Sequence, residues 1–317
     1  MGRDPSPPPA TGVRVSWWQA PERLRGAIEA HLGGKVAESR TQPGGFSPGV
    51  AARLRLDDGR RVFVKAAGEE LNADTPGLHR AEARVAAVIP ASAPVPSFLT
   101  SFDQDGWVAL LFEDIDGQMP RQPWDPDELR RVLDALSDLA EVMTPSPIDV
   151  PTAGERFAEA FRGWRTLAGG EDASGLDPWA VRHLGRLAEL EETWADAAAG
   201  TTLAHADIRA DNLLLTADRV VVVDWPWASL AAPWFDLLGM LPSVRMQGGP
   251  PPEQIFDAHP AAARADDSAV TAVLVALAGY FVWSGRQPDP SGLPTLRAFQ
   301  QAQGEIALTW LRRRTGW

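Results

Sequence analysis

Residues 205–225 read HADIRADNLLLTADRVVVVDW. His205, Asp207, Asn212 and Asp224 stand here beside two strand-like apolar runs, LLL and VVVV, joined by the turn at Ala217 and Asp218. If those runs pair as a tight hairpin, the end of the second strand returns beside the start of the first. Asn212 and Asp224 then converge at one open end. Oxygen ligands completed by water suit Mg²⁺, which takes few protein ligands and keeps several waters. Asp207, just upstream, is placed to accept a proton from a hydroxyl nucleophile. His205 reads as a hydrogen-bonding brace for the loop. His31, His79, His183 and His259 show no metal-like spacing.

The elements that must hold these residues follow from pattern. VAARLRL and RVFVKA alternate around Asp57, Asp58 and Gly59, the signature of a β-hairpin. Pro21 to Leu32 reads as a helix stopped by Gly33 and Gly34, and Leu78 to Ile89 as a second. WVALLF is a buried strand after the polar turn Asp103 to Gly106. From Asp125 the character changes. Asp125 is an N-cap with Glu128 at the capping-box position. The face Leu129, Val132, Leu133, Leu136, Leu139 and Met143 has helical period. Further helices are expected over residues 154–167, 178–199, 269–283 and 296–313. LLL and VVVV are the only strand-like signals in this half. The sequence therefore predicts an α+β N-terminal part and a mostly helical C-terminal part.

Composition narrows the function. The chain of 317 residues carries a net charge of -12 and no cysteine. Thiolate metal sites, disulfides and Cys nucleophiles are excluded. No Lys/Arg run makes a nucleic-acid patch, and Arg312, Arg313 and Arg314 read as a helix-end feature. MGRDPSPPPATG lacks the apolar core of a signal peptide and reads as a disordered Pro-rich tail. The 15 residues from Ala269 to Trp283 are short for a bilayer span and suit a buried helix. A cytoplasmic protein is expected, free of nucleic acid and membrane, and monomeric or weakly dimeric.

The order H-x-D-x-x-x-x-N, strand, turn, strand, Asp resembles the catalytic and metal loops of kinases. With Trp225 after the metal Asp and PWFDLL downstream, the chain resembles the aminoglycoside phosphotransferase-like family, traceable from about residue 40 to 240. That resemblance implies a bilobal protein-kinase-like fold with an N-terminal antiparallel sheet plus helices. It implies a tail over 1–15, a nucleotide-binding lobe over 16–115, and a helical lobe with the catalytic and substrate sites over 116–317.

By the same resemblance, Asp207 is the catalytic base, and Asn212 and Asp224 hold Mg²⁺ on the phosphates of ATP, with GTP an alternative. Lys65 meets the α/β-phosphates and pairs with Glu82. Gly45, Phe46 and Ser47, in GGFSPG, form the phosphate loop. Main-chain groups near Glu113 and Ile115 bond adenine. Asp236 steadies the catalytic loop. The implied activity is ATP- and Mg²⁺-dependent phosphorylation of a hydroxyl on a small molecule. An aminoglycoside or other amino sugar leads as acceptor, with an antibiotic-resistance role. The alternatives are a choline, homoserine or sugar kinase, or a kinase-like binding protein without turnover. Against the last, Lys65, Asp207, Asn212 and Asp224 are all present.

The chain departs from the family's pattern in four places. Ala206 stands for a Gly, Arg209 for a second His, Asp211 for a small residue, and Pro226 for an acidic one. Arg209 is expected either to reach a phosphate or anionic substrate, or to pair with Asp211 or another carboxylate nearby. Trp225 and Trp227 flank the site and are candidates to line a substrate pocket. Asp257, Asp266 and Asp267 are available for amines, or are simply solvated acids.

Overall fold

The computed structural model describes residues 8, 13–42, 44–46, 48–170, 173–290 and 293–317. Most of the Pro-rich tail and Ser47 lie outside the described residues.

The N-terminal part is built on one antiparallel sheet. Its strands β1 (Val36–Thr41), β2 (Val50–Leu56), β3 (Arg61–Gly68), β4 (Phe98–Gln104) and β5 (Trp107–Glu113) lie in the order β1-β2-β3-β5-β4. Gly59, at φ 88°, turns β2 into β3, as Asp-Gly predicts. β5 is buried on both faces, because its apolar residues alternate between two cores. Trp107, Ala109 and Leu111 face the core under α1 (Glu22–Leu32), with Leu24 and Ile28. Val108, Leu110 and Phe112 face α2 (Thr75–Ala86). β1 and β4 escaped the sequence reading. Their alternating pattern leaves one face exposed, and β4 carries the polar residues read there as a turn.

A larger core holds the rest of the chain. Helix α3 (Pro126–Val142) starts at Asp125, whose carboxylate accepts the N–H groups of Asp127 and Glu128 at 3.0 and 3.1 Å. Glu128 does not complete a capping box. Its carboxylate accepts the Arg121 N–H at 2.7 Å instead.

The helix expected over 154–167 is two, α4 (Ala153–Arg156) and α5 (Gly163–Ala168). Gly163 lies against the backbone of Gly279, where a Cβ would meet the Gly279 carbonyl oxygen at 2.1 Å. The chain must step between α4 and α5 to make that approach. The stretch 178–199 likewise divides into α6 (Pro178–Arg182), α7 (Leu184–Glu191) and α8 (Trp194–Ala197). Buried Glu191 caps α5 by accepting the N–H groups of Trp164 and Arg165 at 3.0 and 2.9 Å.

Two two-stranded sheets carry the loops of interest. β6 (Thr202–Ala204) pairs with β9 (Ser229–Ala231), and β7 (Leu213–Leu215) with β8 (Val220–Val222). β6 and β9 are three residues each, too short to show a period. Four helices close the fold: α9 (Phe235–Met246), α10 (Pro252–Ala258), α11 (Asp267–Ser284) and α12 (Leu296–Thr315). α11 has 18 residues and is apolar enough to cross a membrane by length and composition, yet most of it is buried inside this core.

Candidate active site

The β7–β8 hairpin has the register expected of it. Leu213 faces Val222, and the Val223 N–H donates to the Asn212 carbonyl at 3.0 Å. Asn212 and Asp224 therefore meet at the open end. Both line a cleft of about 390 Å³ beneath the N-terminal sheet, together with Lys65, Gly44 and Gly45.

Lys65 projects from β3 and donates to Glu82 of α2 at 2.6 Å and to Asp224. Burial opposes its charge, but Asp224 and Glu82 outweigh burial and raise its pKa. Burial would likewise raise Asp224, yet Lys65 pulls that carboxyl down to about 2. For Glu82 burial wins, and its pKa is raised. The second Glu82 oxygen receives the Trp225 N–H at 3.4 Å. One buried acid so links Lys65 to the strand end that carries Asp224. Trp225 is buried against His205, with ring centroids 4.8 Å apart. Trp227 is partly exposed and lies beside Phe157.

The segment that carries Asp207 is braced from two sides. His205 Nδ1 accepts the Asp207 N–H at 3.1 Å, while Nε2 lies 2.9 Å from the Val223 carbonyl. These partners assign the proton to Nε2. Asp236, in the first turn of α9, accepts the His205 and Ala206 N–H groups at 2.8 and 2.7 Å. Ala206 sits at φ 65° and Asp224 at φ 72°, both left-handed. Burial raises the Asp207 pKa more than Arg209 lowers it. Asn212 Nδ2 donates to the Asp207 carbonyl at 2.8 Å.

Arg209 pairs with carboxylates, as one of its two expectations had it. It meets Asp211 through Nε and Nη2 at 3.0 and 2.9 Å, and Asp207 through Nη1. Its guanidinium also lies beside the rings of Phe46 and Phe299, 5.4 and 5.8 Å from their centroids, and those rings meet edge to face at 5.5 Å. Phe46 belongs to the glycine loop and Phe299 to α12, so residues far apart in sequence close over the same charge.

At the end of β5 the Glu113 N–H donates to the Ser97 carbonyl at 2.9 Å, and in the segment that follows the Ile115 carbonyl accepts from Arg53 at 2.7 Å. The Ile115 N–H has no backbone acceptor among the described residues. Asp257, Asp266 and Asp267 are exposed and lie away from the cleft. Asp266 caps α11, and Asp267 pairs with Arg314.

Sequence reasoning missed three contributors. Arg53 fixes the segment after β5. Tyr280 of α11 lies close enough for the Asp207 charge to act on it, and its hydroxyl accepts a hydrogen bond from Gln300 of α12 at 2.9 Å. Arg14 lines the cleft from the N-terminal arm. No local pattern marks any of them.

Residues 43–270 match the phosphotransferase enzyme family. The chain belongs to that family. This phosphotransferase is thus a small-molecule kinase with the bilobal protein-kinase-like fold that the sequence implied. No curated protein matches it significantly.

Solved structures share its fold at low identity. A thermostable mutant of aminoglycoside phosphotransferase APH(4)-Ia, in ternary complex with ADP and hygromycin B, is 14% identical with a TM-score of 0.58. The alignment covers 92% of this chain and 98% of that one. Choline kinase LicA from Streptococcus pneumoniae is 13% identical with a TM-score of 0.59, covering 90% and 98%. Amicoumacin kinase hAmiN, in complex with AMP-PNP, Ca²⁺ and Ami, is 10% identical with a TM-score of 0.56, covering 91% and 93%.

Proposed function

We propose that this phosphotransferase moves the γ-phosphoryl group of ATP to a hydroxyl of a small molecule in the cytoplasm, with an aminoglycoside or other amino sugar as the leading acceptor class. One observation carries the reading. Asp224 and Asn212 meet at the open end of one hairpin, with Lys65–Glu82 above them and Asp207 bonded through Asn212. Family membership and the net charge of -12 support the choice of acceptor. The N-terminal sheet with residues 16–115 is taken as the nucleotide lobe and residues 116–317 as the acceptor lobe.

The donor set fits Mg²⁺. Asp224 is held ionised, and Asn212 commits its amide nitrogen to Asp207, which leaves the amide oxygen as its ligand atom. Bound there, Mg²⁺ would neutralise phosphate charge during transfer. Lys65 has the same effect on the phosphates while Glu82 keeps it oriented. The loop at Gly45 and Phe46 offers backbone N–H groups to anionic oxygens. The Ile115 N–H, in a residue that lines the cleft, would donate to adenine.

Asp207 accepts the proton as the acceptor oxygen bonds to the γ-phosphorus. The bond from that phosphorus to the β–γ bridging oxygen breaks, and ADP leaves. A carboxylate whose pKa is raised by burial is a stronger base for this step. Arg209 must yield its contact with Asp207 as the hydroxyl arrives.

A second reading is favoured by one feature. Phe157, Phe161, Phe235 and Trp227 cluster with ring centroids 5.4–6.5 Å apart, and Tyr280 joins Phe161 at 5.6 Å. Such rings attract quaternary ammonium groups, which would suit a choline-like alcohol. The test is a panel of aminoglycosides, amino sugars, neutral sugars and choline with ATP–Mg²⁺, read by mass shift. Phosphoryl transfer that survives Asp207→Ala would sink the mechanism. Choline as the sole acceptor would replace the first reading by the second.

A further inference from the structure

The N-terminal arm brings a cation to the phosphate end of the cleft. The Val15 N–H donates to the Gly49 carbonyl at 3.0 Å, and the Gly49 N–H donates to the Val13 carbonyl at 3.2 Å. Residues 13–15, which the sequence reading placed in the tail, therefore run parallel to the end of the glycine loop. Arg14 points inward. Its Nη2 donates to the Gly44 carbonyl, and the side chain lines the same cleft as Lys65, Asn212 and Asp224. Gly45 makes room for it. That residue has φ 87°, and a Cβ there would lie 2.8 Å from Arg14 Nη2.

Charge gives this placement a meaning. Lys65 is held by Glu82 and Asp224, and Arg209 by Asp207 and Asp211. Arg14 is a third cation in the same space. Asp224 and Asp211 are the carboxylates whose charge acts on it most, and its burial makes the charged form costly. A guanidinium drawn out of water beside a glycine loop is well used if an anion comes to it. Its planar fork matches a phosphate, with two donors for two oxygens.

We propose that Arg14 is a phosphate-binding residue of the nucleotide site, contributed by the N-terminal arm and reaching the phosphates past Gly45. This rests on the nucleotide-kinase reading above and adds to it a residue that no pattern in the catalytic segment assigns. The rival explanation is structural: the bond to Gly44 pins the loop and nothing more.

Binding measurements without an acceptor separate the two. Dissociation constants for ATP, ADP and adenosine are measured by calorimetry on the full chain and on Arg14→Gln and Arg14→Lys. The expected result is a ten- to hundredfold loss of ATP affinity in Arg14→Gln, about the size of one charge-assisted hydrogen bond. Adenosine should change less than about twofold, since it lacks the phosphates, and Arg14→Lys should recover part of the loss. Equal losses for ATP and adenosine would show a pinned loop and overturn the proposal, as would an unchanged ATP affinity. If the unaltered chain bound neither ATP nor ADP, the kinase reading would fall and this inference with it.

Discussion

The carboxylate of Asp236 accepts the backbone N–H of His205 at 2.8 Å, although 31 residues separate them. With the second bond, to Ala206 at 2.7 Å, it satisfies two consecutive donors just before Asp207. Burial raises the Asp236 pKa, and the bonds from His205 and Ala206 work against that. Asp236→Ala would leave both donors without their carboxylate in a buried loop. A buried unsatisfied group costs about 1–3 kcal/mol, so a loss of about 2–4 kcal/mol is expected in urea unfolding. A loss under about 0.5 kcal/mol would mean that the loop holds itself.

Ala206 occupies a left-handed conformation, φ 65°, where the family's pattern has Gly. An L-residue there costs roughly 1–2 kcal/mol, and the greater freedom of glycine in the unfolded chain offsets part of it. Ala206→Gly is expected to stabilise the protein by up to about 1 kcal/mol. Thermal unfolding of the two proteins checks this, and a clear drop in Tm would contradict the strain argument.

Lys65 and Glu82 form a buried pair at 2.6 Å, with side chains 13% and 2% exposed. Removing one partner strands the other, at a typical cost of about 3–5 kcal/mol. Lys65→Met should therefore destabilise the fold by about that amount, and Lys65→Met combined with Glu82→Leu should recover only part of it, because Asp224 also loses Lys65. Catalysis should not follow stability. We expect kcat/KM to fall about 10²–10³-fold in both variants, the scale of losing one transition-state donor. Recovered activity in the double variant would argue against a role for Lys65 at the phosphates.

His79 lies buried in α2, 3.4 Å from the Val108 carbonyl. Burial and then the charge of Lys65 lower its pKa from 6.5 to about 3. Above pH 6.5 the folded and unfolded chains both hold it neutral, and it contributes no pH dependence. Between 6.5 and 3 only the unfolded chain gains the proton, so stability falls as the pH falls. The full difference approaches about 5 kcal/mol at about 1.36 kcal/mol per pH unit. His79→Gln should flatten the slope of unfolding free energy over that window. Equal slopes in the two proteins would exclude His79 as its source.

The sequence by itself determined the chemistry-bearing segment and its local order. A hairpin alternates and turns on neighbouring residues, so the β2–β3 pairing and the meeting of Asn212 with Asp224 follow from short-range pattern. The long amphipathic α3 is legible for the same reason. Helix breaks were not, because Gly163 answers to Gly279 and Glu191 caps a helix more than 20 residues earlier. Only the tertiary structure decided what surrounds the candidate base. Arg209 carries two readings in sequence, and the structure pairs it with Asp207 and Asp211 beside the Phe46–Phe299 ring pair. Arg14 reaches the cleft, and Tyr280 with Gln300 comes near Asp207, from elements whose own sequences show only core, helix or tail. Packing chooses such neighbours through contacts between distant segments, and no periodicity within one segment records them.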